Sequence, residues 1–142
     1  MTIKAILEKK GGEVLSVASS ATVRDAVALL AEKRIGALPV IDGGEVLGIF
    51  SERDVVYGLA REGAALLDRR VEEVMVSPPI TVEPGEQVMG ALGLMTQRRI
   101  RHLPVLEAGR PVGFVSIGDL VKYRIDKIEA EAAALRDYIQ SA

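Results

Sequence analysis

The sequence predicts an α+β fold in which one β-α-β-β-α unit is used twice and followed by a C-terminal helix. Three observations carry this. Residues 23–56 align with residues 88–121 without a gap at a constant offset of 65, and 13 of the 34 positions are identical. Each copy shows helical spacing followed by two short apolar runs flanking a turn. A unit of this size cannot cover both faces of its own small sheet, whereas two packed together can.

The elements follow in order. Residues 1–63 are assigned to the first unit with an N-terminal helix, and a short strand is expected at residues 14–17. Val23, Ala26, Val27 and Leu30 follow i, i+3, i+4, i+7 spacing, as do Val88, Ala91, Leu92 and Met95, so each set predicts an amphipathic helix. Thr22, three residues before Asp25, suits the start of the first of these. Residues 37–41 and 46–50 read as strands around the turn signal Asp42-Gly43-Gly44, and residues 103–106 and 112–115 repeat this around Ala108-Gly109-Arg110. A second helix opens near Ser51 and again near Ser116. Between the copies, residues 64–78 form a linker whose prolines, in Ser77-Pro78-Pro79, impose an extended entry into the second unit at residues 79–123.

The last segment, residues 124–142, is expected to form an amphipathic helix. Val121, Ile125, Ile128, Ala132, Leu135 and Ile139 step by 4, 3, 4, 3, 4, which is heptad spacing. Either the helix folds back on its own domain or it joins two chains. Association into a homodimer is the expectation, because the duplicated body is complete without it.

Composition narrows the function. The 142 residues are 49% apolar and 27% charged with a net charge of −2, which argues against nucleic-acid binding through a basic surface. Trp is absent and aromatic residues number only Tyr 3 and Phe 2, so there are few platforms for stacking bases. No run approaches the ~20 apolar residues of a membrane span, and the N-terminus lacks the apolar core of a signal peptide. The absence of cysteine excludes disulfides and thiol catalysis and agrees with a cytoplasmic location. With one histidine and no phosphate-cradling glycine loop or nucleophile elbow, no catalytic set is evident, and no metal or cofactor is required.

Ile35-Gly36-Ala37-Leu38-Pro39-Val40 and Ile100-Arg101-His102-Leu103-Pro104-Val105, in this order of elements, closely resemble the CBS (cystathionine β-synthase-type) domain family. Gly48-Ile49-Phe50-Ser51-Glu52-Arg53-Asp54 and Gly113-Phe114-Val115-Ser116-Ile117-Gly118-Asp119 fit that family's Gly-x-x-Ser/Thr-x-x-Asp ligand motif, and Val74-Met75 resembles its inter-repeat element. The resemblance spans residues 3–123. It implies a tandem CBS-domain pair related by a pseudo-twofold axis, with two clefts often occupied in that family by AMP, ADP, ATP, NAD or S-adenosylmethionine, and a regulatory role toward an unidentified partner protein.

Ser51 and Asp54, with Ser116 and Asp119, are the principal candidates. A carboxylate can accept hydrogen bonds from both hydroxyls of a ribose, and the adjoining helix N-terminus suits a phosphate. The same Ser-x-x-Asp pattern is a helix cap needing no ligand, and both readings stand. By family analogy the Asp119 cleft is completed by Leu15, Ile35 and Gly36, and the Asp54 cleft by Ile80, Ile100 and Arg101. Arg101 and His102 stand where similar proteins place phosphate contacts, whereas the first unit has Gly36 and Ala37 there. Arg53, which Gly118 replaces in the second copy, offers a compensating charge. The two clefts should therefore be unequal.

Overall fold

The computed structural model describes residues 1–11 and 13–141; Ala142, at the end of the expected C-terminal helix, lies outside them. The element order is α1 (Ile3–Lys10), α2 (Val23–Lys33), β1 (Ala37–Asp42), β2 (Glu45–Ser51), α3 (Glu52–Glu62), two short 3-10 turns (Gly63–Asp68 and Val71–Glu73), α4 (Val88–Arg98), β3 (His102–Glu107), β4 (Arg110–Ser116) and α5 (Ile117–Ser141). The duplication holds to the level of backbone detail. β1–β2 and β3–β4 are antiparallel hairpins with the same irregularity, after Val40 and after Val105. α2 and α4 both end on an arginine in the left-handed region, Arg34 at φ 53° and Arg99 at φ 55°.

The strand expected at residues 14–17 is reduced to a single rung. Val17 N donates to Pro39 O at 3.2 Å and Ile41 N donates to Val17 O at 2.9 Å, while residues 13–16 stay off the sheet. The next rung of a parallel ladder would need an N–H from residue 39, and proline has none. The second copy repeats the device at Val82, whose ladder partners are Pro104 O at 3.1 Å and Leu106 N at 2.8 Å.

Two cores result, and each is closed by a segment that precedes the other unit. The first, around Leu38, Val40 and Phe50, includes Leu66 and Val71 from the linker. The second, around Leu103, Val105 and Val115, includes Ile3 and Ile6 of α1. The N-terminal helix therefore docks on the second unit, although the sequence reading grouped it with the first. The two docking modes correspond: Val71 N donates to Ala21 O and Glu72 N to Ser19 O, as Ile3 N donates to Glu86 O and Lys4 N to Pro84 O. Val71-Glu72-Glu73-Val74-Met75 is thus the counterpart of Ile3-Lys4-Ala5-Ile6-Leu7. Gly48 and Gly113 make room for these segments, since a Cβ at Gly48 would lie 2.6 Å from Val76 O and one at Gly113 would run into Leu7.

α5 runs without a break through Tyr123 and Arg124, where the sequence reading divided the second unit from a separate helix. Its first turns pack on the second core through Leu120 and Tyr123. No helix among the described residues is long and apolar enough to cross a membrane.

Candidate ligand cleft

Short interruptions of regular structure place the site. Because Pro39 ends the ladder, Leu15 is free to line a cleft of about 410 Å³ between the units. The first unit contributes Leu15, Arg34, Ile35, Gly36, Ala37 and Leu38, and the second contributes His102, Phe114, Ser116 and Asp119. Lys10, Gly11 and Glu13 complete the wall. Leu15, Ile35 and Gly36 were expected to face Asp119, and the structure brings them together around it. The units approach closely here: a Cβ on Gly36 would meet His102 Cε1 at 3.5 Å and Glu52 Oε1 at 3.3 Å.

Asp119 has two tasks. Its Oδ2 accepts from Ser116 N at 2.9 Å, while Asp119 N donates to Ser116 Oγ at 3.1 Å, a reciprocal cap on α5. The same Oδ2 also accepts from Lys10 Nζ at 2.7 Å, and Lys10 donates in addition to Phe114 O at 2.7 Å. Hydrogen bonds to this carboxylate among the described residues fall on Oδ2, which leaves Oδ1 for another donor. Burial works against ionisation of Asp119, but the bonds from Lys10 and Ser116 and the lysine charge outweigh it and hold the carboxyl below its usual range.

Sequence reasoning missed Lys10. It stands 109 positions from its partner, and no local motif joins them. Arg34, which lines the same cleft, carried a signal: it is identical with Arg99 across the repeat.

His102 sits at the entry to β3 as expected, but it is no ready cation. Its ring stacks on Phe114 with centroids 5.6 Å apart and planes 12° from parallel. Burial, then the positive charges of Lys10 and Arg101, push the imidazole below the usual histidine range, with Asp119 opposing. A folded-state pKa that is depressed gives stability that is full above the unfolded value of about 6.5 and is lost as pH falls through it toward the folded value. Between about pH 7 and pH 5.5 the melting temperature should drop, and His102→Phe should flatten that drop. An unchanged slope in the variant would remove His102 from the acid response.

Asp54 is placed differently. Its Oδ2 accepts from Ser51 N at 2.9 Å and from Ser51 Oγ at 3.3 Å. Burial raises its carboxyl above the usual range, against the Ser51 bonds and the charges of Arg53 and Arg61. Arg53 Nη1 donates to Arg99 O at 3.1 Å, tying α3 to the second unit. Ile80 and Ile100 are half-buried against the second core. Arg101 is exposed, and its carbonyl accepts from Ile117 N at 2.8 Å. Gly118 lies in the first turn of α5, where a Cβ would stand 3.6 Å from Ser116 Oγ. The docking correspondence that pairs Leu7 with Met75 puts Pro78 opposite Lys10, so the Asp54 side has no matching lysine. Among the described residues no cluster of His, Cys, Asp and Glu is suited to hold a metal ion.

The family model for the CBS domain matches residues 3–61 and 71–126. The chain belongs to the CBS-domain family. It is 35% identical over 148 residues to the CBS domain-containing protein CBSX3, mitochondrial, of Arabidopsis thaliana, covering 98% of this chain and 72% of that protein. The crystal structure of a CBS-domain containing protein from Agrobacterium tumefaciens is similar with a TM-score of 0.84 at 39% identity, over 87% of this chain and 92% of that one. Two similar solved structures carry adenosine compounds. The CBS domain pair of protein MJ0100, in complex with 5′-methylthioadenosine and S-adenosyl-L-methionine, has a TM-score of 0.79 at 26% identity, covering 89% of this chain and 98% of that one. CBSX2 in complex with AMP has a TM-score of 0.69 at 28% identity, covering 80% and 89%.

Proposed function

We propose that this CBS pair is a non-catalytic regulatory module that binds an adenosine nucleotide between its units, works as a homodimer in the cytoplasm and passes its state to a separate protein. The observation that carries the ligand reading is the composition of the Asp119 cleft. Apolar Leu15 and Ile35 from one unit stand across from a carboxylate with an open oxygen on the other. Its volume of about 410 Å³ falls within the usual range for small-molecule sites. The apolar pair would enclose a purine, and Asp119 Oδ1 would accept from a ribose hydroxyl. A second hydroxyl competes for Oδ2, which frees the Lys10 ammonium for a phosphate. AMP, ADP, ATP and NAD are the candidates within this reading, with S-adenosylmethionine and methylthioadenosine as adenosine ligands of a similar pair.

A second reading, a ligand-free scaffold, has an observation of its own: both Ser/Asp pairs are engaged at helix starts. Calorimetry against AMP, ADP, ATP, NAD and S-adenosylmethionine separates the two. Saturable heat with at least one, a matching rise in melting temperature and no product formation are expected. No heat at millimolar concentration with any of them would favour the scaffold, and multiple turnovers by the pure protein would defeat the non-catalytic reading.

A further inference from the structure

α5 carries an apolar stripe that the other described residues leave about half or more exposed at its four large side chains. Ile125, Ile128, Leu135 and Ile139 are 49%, 47%, 59% and 64% exposed, and Ala132 continues the line between them. Leu120, near the start, is the one buried residue among those described in this 25-residue helix. An extension of this kind has little stability in water unless its apolar face is packed. The charges beside the stripe say what packs it. With Ile125, Ala132 and Ile139 at the a positions and Ile128 and Leu135 at d, the g positions hold Arg124, Glu131 and Tyr138 and the e positions Lys122, Glu129 and Arg136. In a parallel two-stranded pair each g residue faces the e residue five positions along in the partner. Arg124 then meets the partner's Glu129, and Glu131 meets the partner's Arg136, both of opposite sign. An antiparallel pair that layers Ile125 on the partner's Leu135 brings e to e and g to g. Glu129 would then face the partner's Glu129, Glu131 the partner's Glu131, and Lys122 the partner's Arg136, all of like sign. Sliding the antiparallel pair by one heptad brings opposite signs together, Lys122 with the partner's Glu129 or Glu129 with the partner's Arg136. It leaves Leu135 and Ile139, or Val121 and Ile125, without a large apolar partner, so only the parallel pair satisfies the charges along the whole stripe.

We propose that α5 pairs in parallel with α5 of a second copy of this chain, in register along the stripe from Ile125 to Ile139. The inference rests on the homodimer reading above and adds orientation and register to it. The chain has no cysteine, so Leu135→Cys in the full-length protein supplies a single thiol per chain at a d position, opposite its own mate only in the parallel arrangement. Mild oxidation should give a disulfide-linked dimer, whereas Asp126→Cys, on the outer face, should not. Sedimentation should show a dimer for the parent, about tenfold weaker dimerisation for Glu129→Arg, and recovery in Arg124→Glu/Glu129→Arg. A parent chain that sediments as a monomer would overturn both this inference and the homodimer reading. A parent dimer with no cross-link through position 135, or no response to Glu129→Arg, would overturn the parallel pairing alone and seat the partner elsewhere, such as on the exposed Val56 and Tyr57 of α3.

Discussion

Asp119→Ala is expected to weaken binding of an adenosine ribonucleotide by about 10- to 150-fold, the loss of charge-assisted hydrogen bonds worth roughly 1.5–3 kcal/mol. Stability alone does not test this, because Asp119 also caps α5, and losing a cap costs about 0.5–2 kcal/mol whatever the ligand does. The discriminating measurement is ribose against 2′-deoxyribose. In the parent protein the deoxynucleotide should bind more weakly, though by less than the full effect of the substitution, since one hydroxyl remains. In Asp119→Ala the preference should vanish. Equal discrimination in parent and variant would reduce the carboxylate to a cap and take away the main support for a nucleotide. The same pair of measurements on Asp54→Ala asks whether the other cleft is used. There the aspartate has no lysine counter-ion, and burial already disfavours its charge.

The largest expected effect on stability comes from the linker. Leu66 is 1% exposed and closes the first core, so Leu66→Ala should cost about 2–5 kcal/mol, a large share of the ~5–15 kcal/mol that holds a typical domain. The loss should couple to Gly58 of α3. A Cβ at Gly58 would lie 2.5 Å from Leu66 Cδ1. In the parent, Gly58→Ala therefore sets about 1 kcal/mol of improved helix propensity against about 1–3 kcal/mol of overpacking. In Leu66→Ala the obstructing methyls are gone and the propensity gain remains. Urea midpoints for the two single variants and the double variant should show a favourable coupling of about 1 kcal/mol or more. Additive effects would mean that Leu66 gives way without strain and that the contact does not limit residue 58.

How far the sequence discloses this protein varies with the range of the interaction. Helices, hairpins and caps were legible because their signals are local: the spacing of Val23, Ala26, Val27 and Leu30, the Asp42-Gly43-Gly44 turn, the serine three residues before each aspartate. The duplication made the grouping of Leu15, Ile35 and Gly36 with Asp119 legible through the family resemblance. The shortened first strand could have been read from Pro39 and Pro104, whose missing N–H groups forbid a second rung. The exchange of α1 and the linker was harder to see, since Ile3-x-x-Ile6-Leu7 and Val71-x-x-Val74-Met75 share only three apolar positions. Lys10 was out of reach because its role depends on where α1 docks.

That exchange also sets a schedule for synthesis. Leu66 and Val71 leave the ribosome soon after the strands whose core they close, so the first unit has all its parts while the second is still being made. α1, which precedes both units, has no seat until β3, β4 and the start of α5 have followed it. Meanwhile Ile3, Ile6 and Leu7 are bare apolar side chains on a nascent chain, a point at which aggregation competes with folding. α1 therefore cannot dock before the second unit has been made. Lys10 reaches Asp119 only after that, so the wall of the cleft it supplies waits on the second unit.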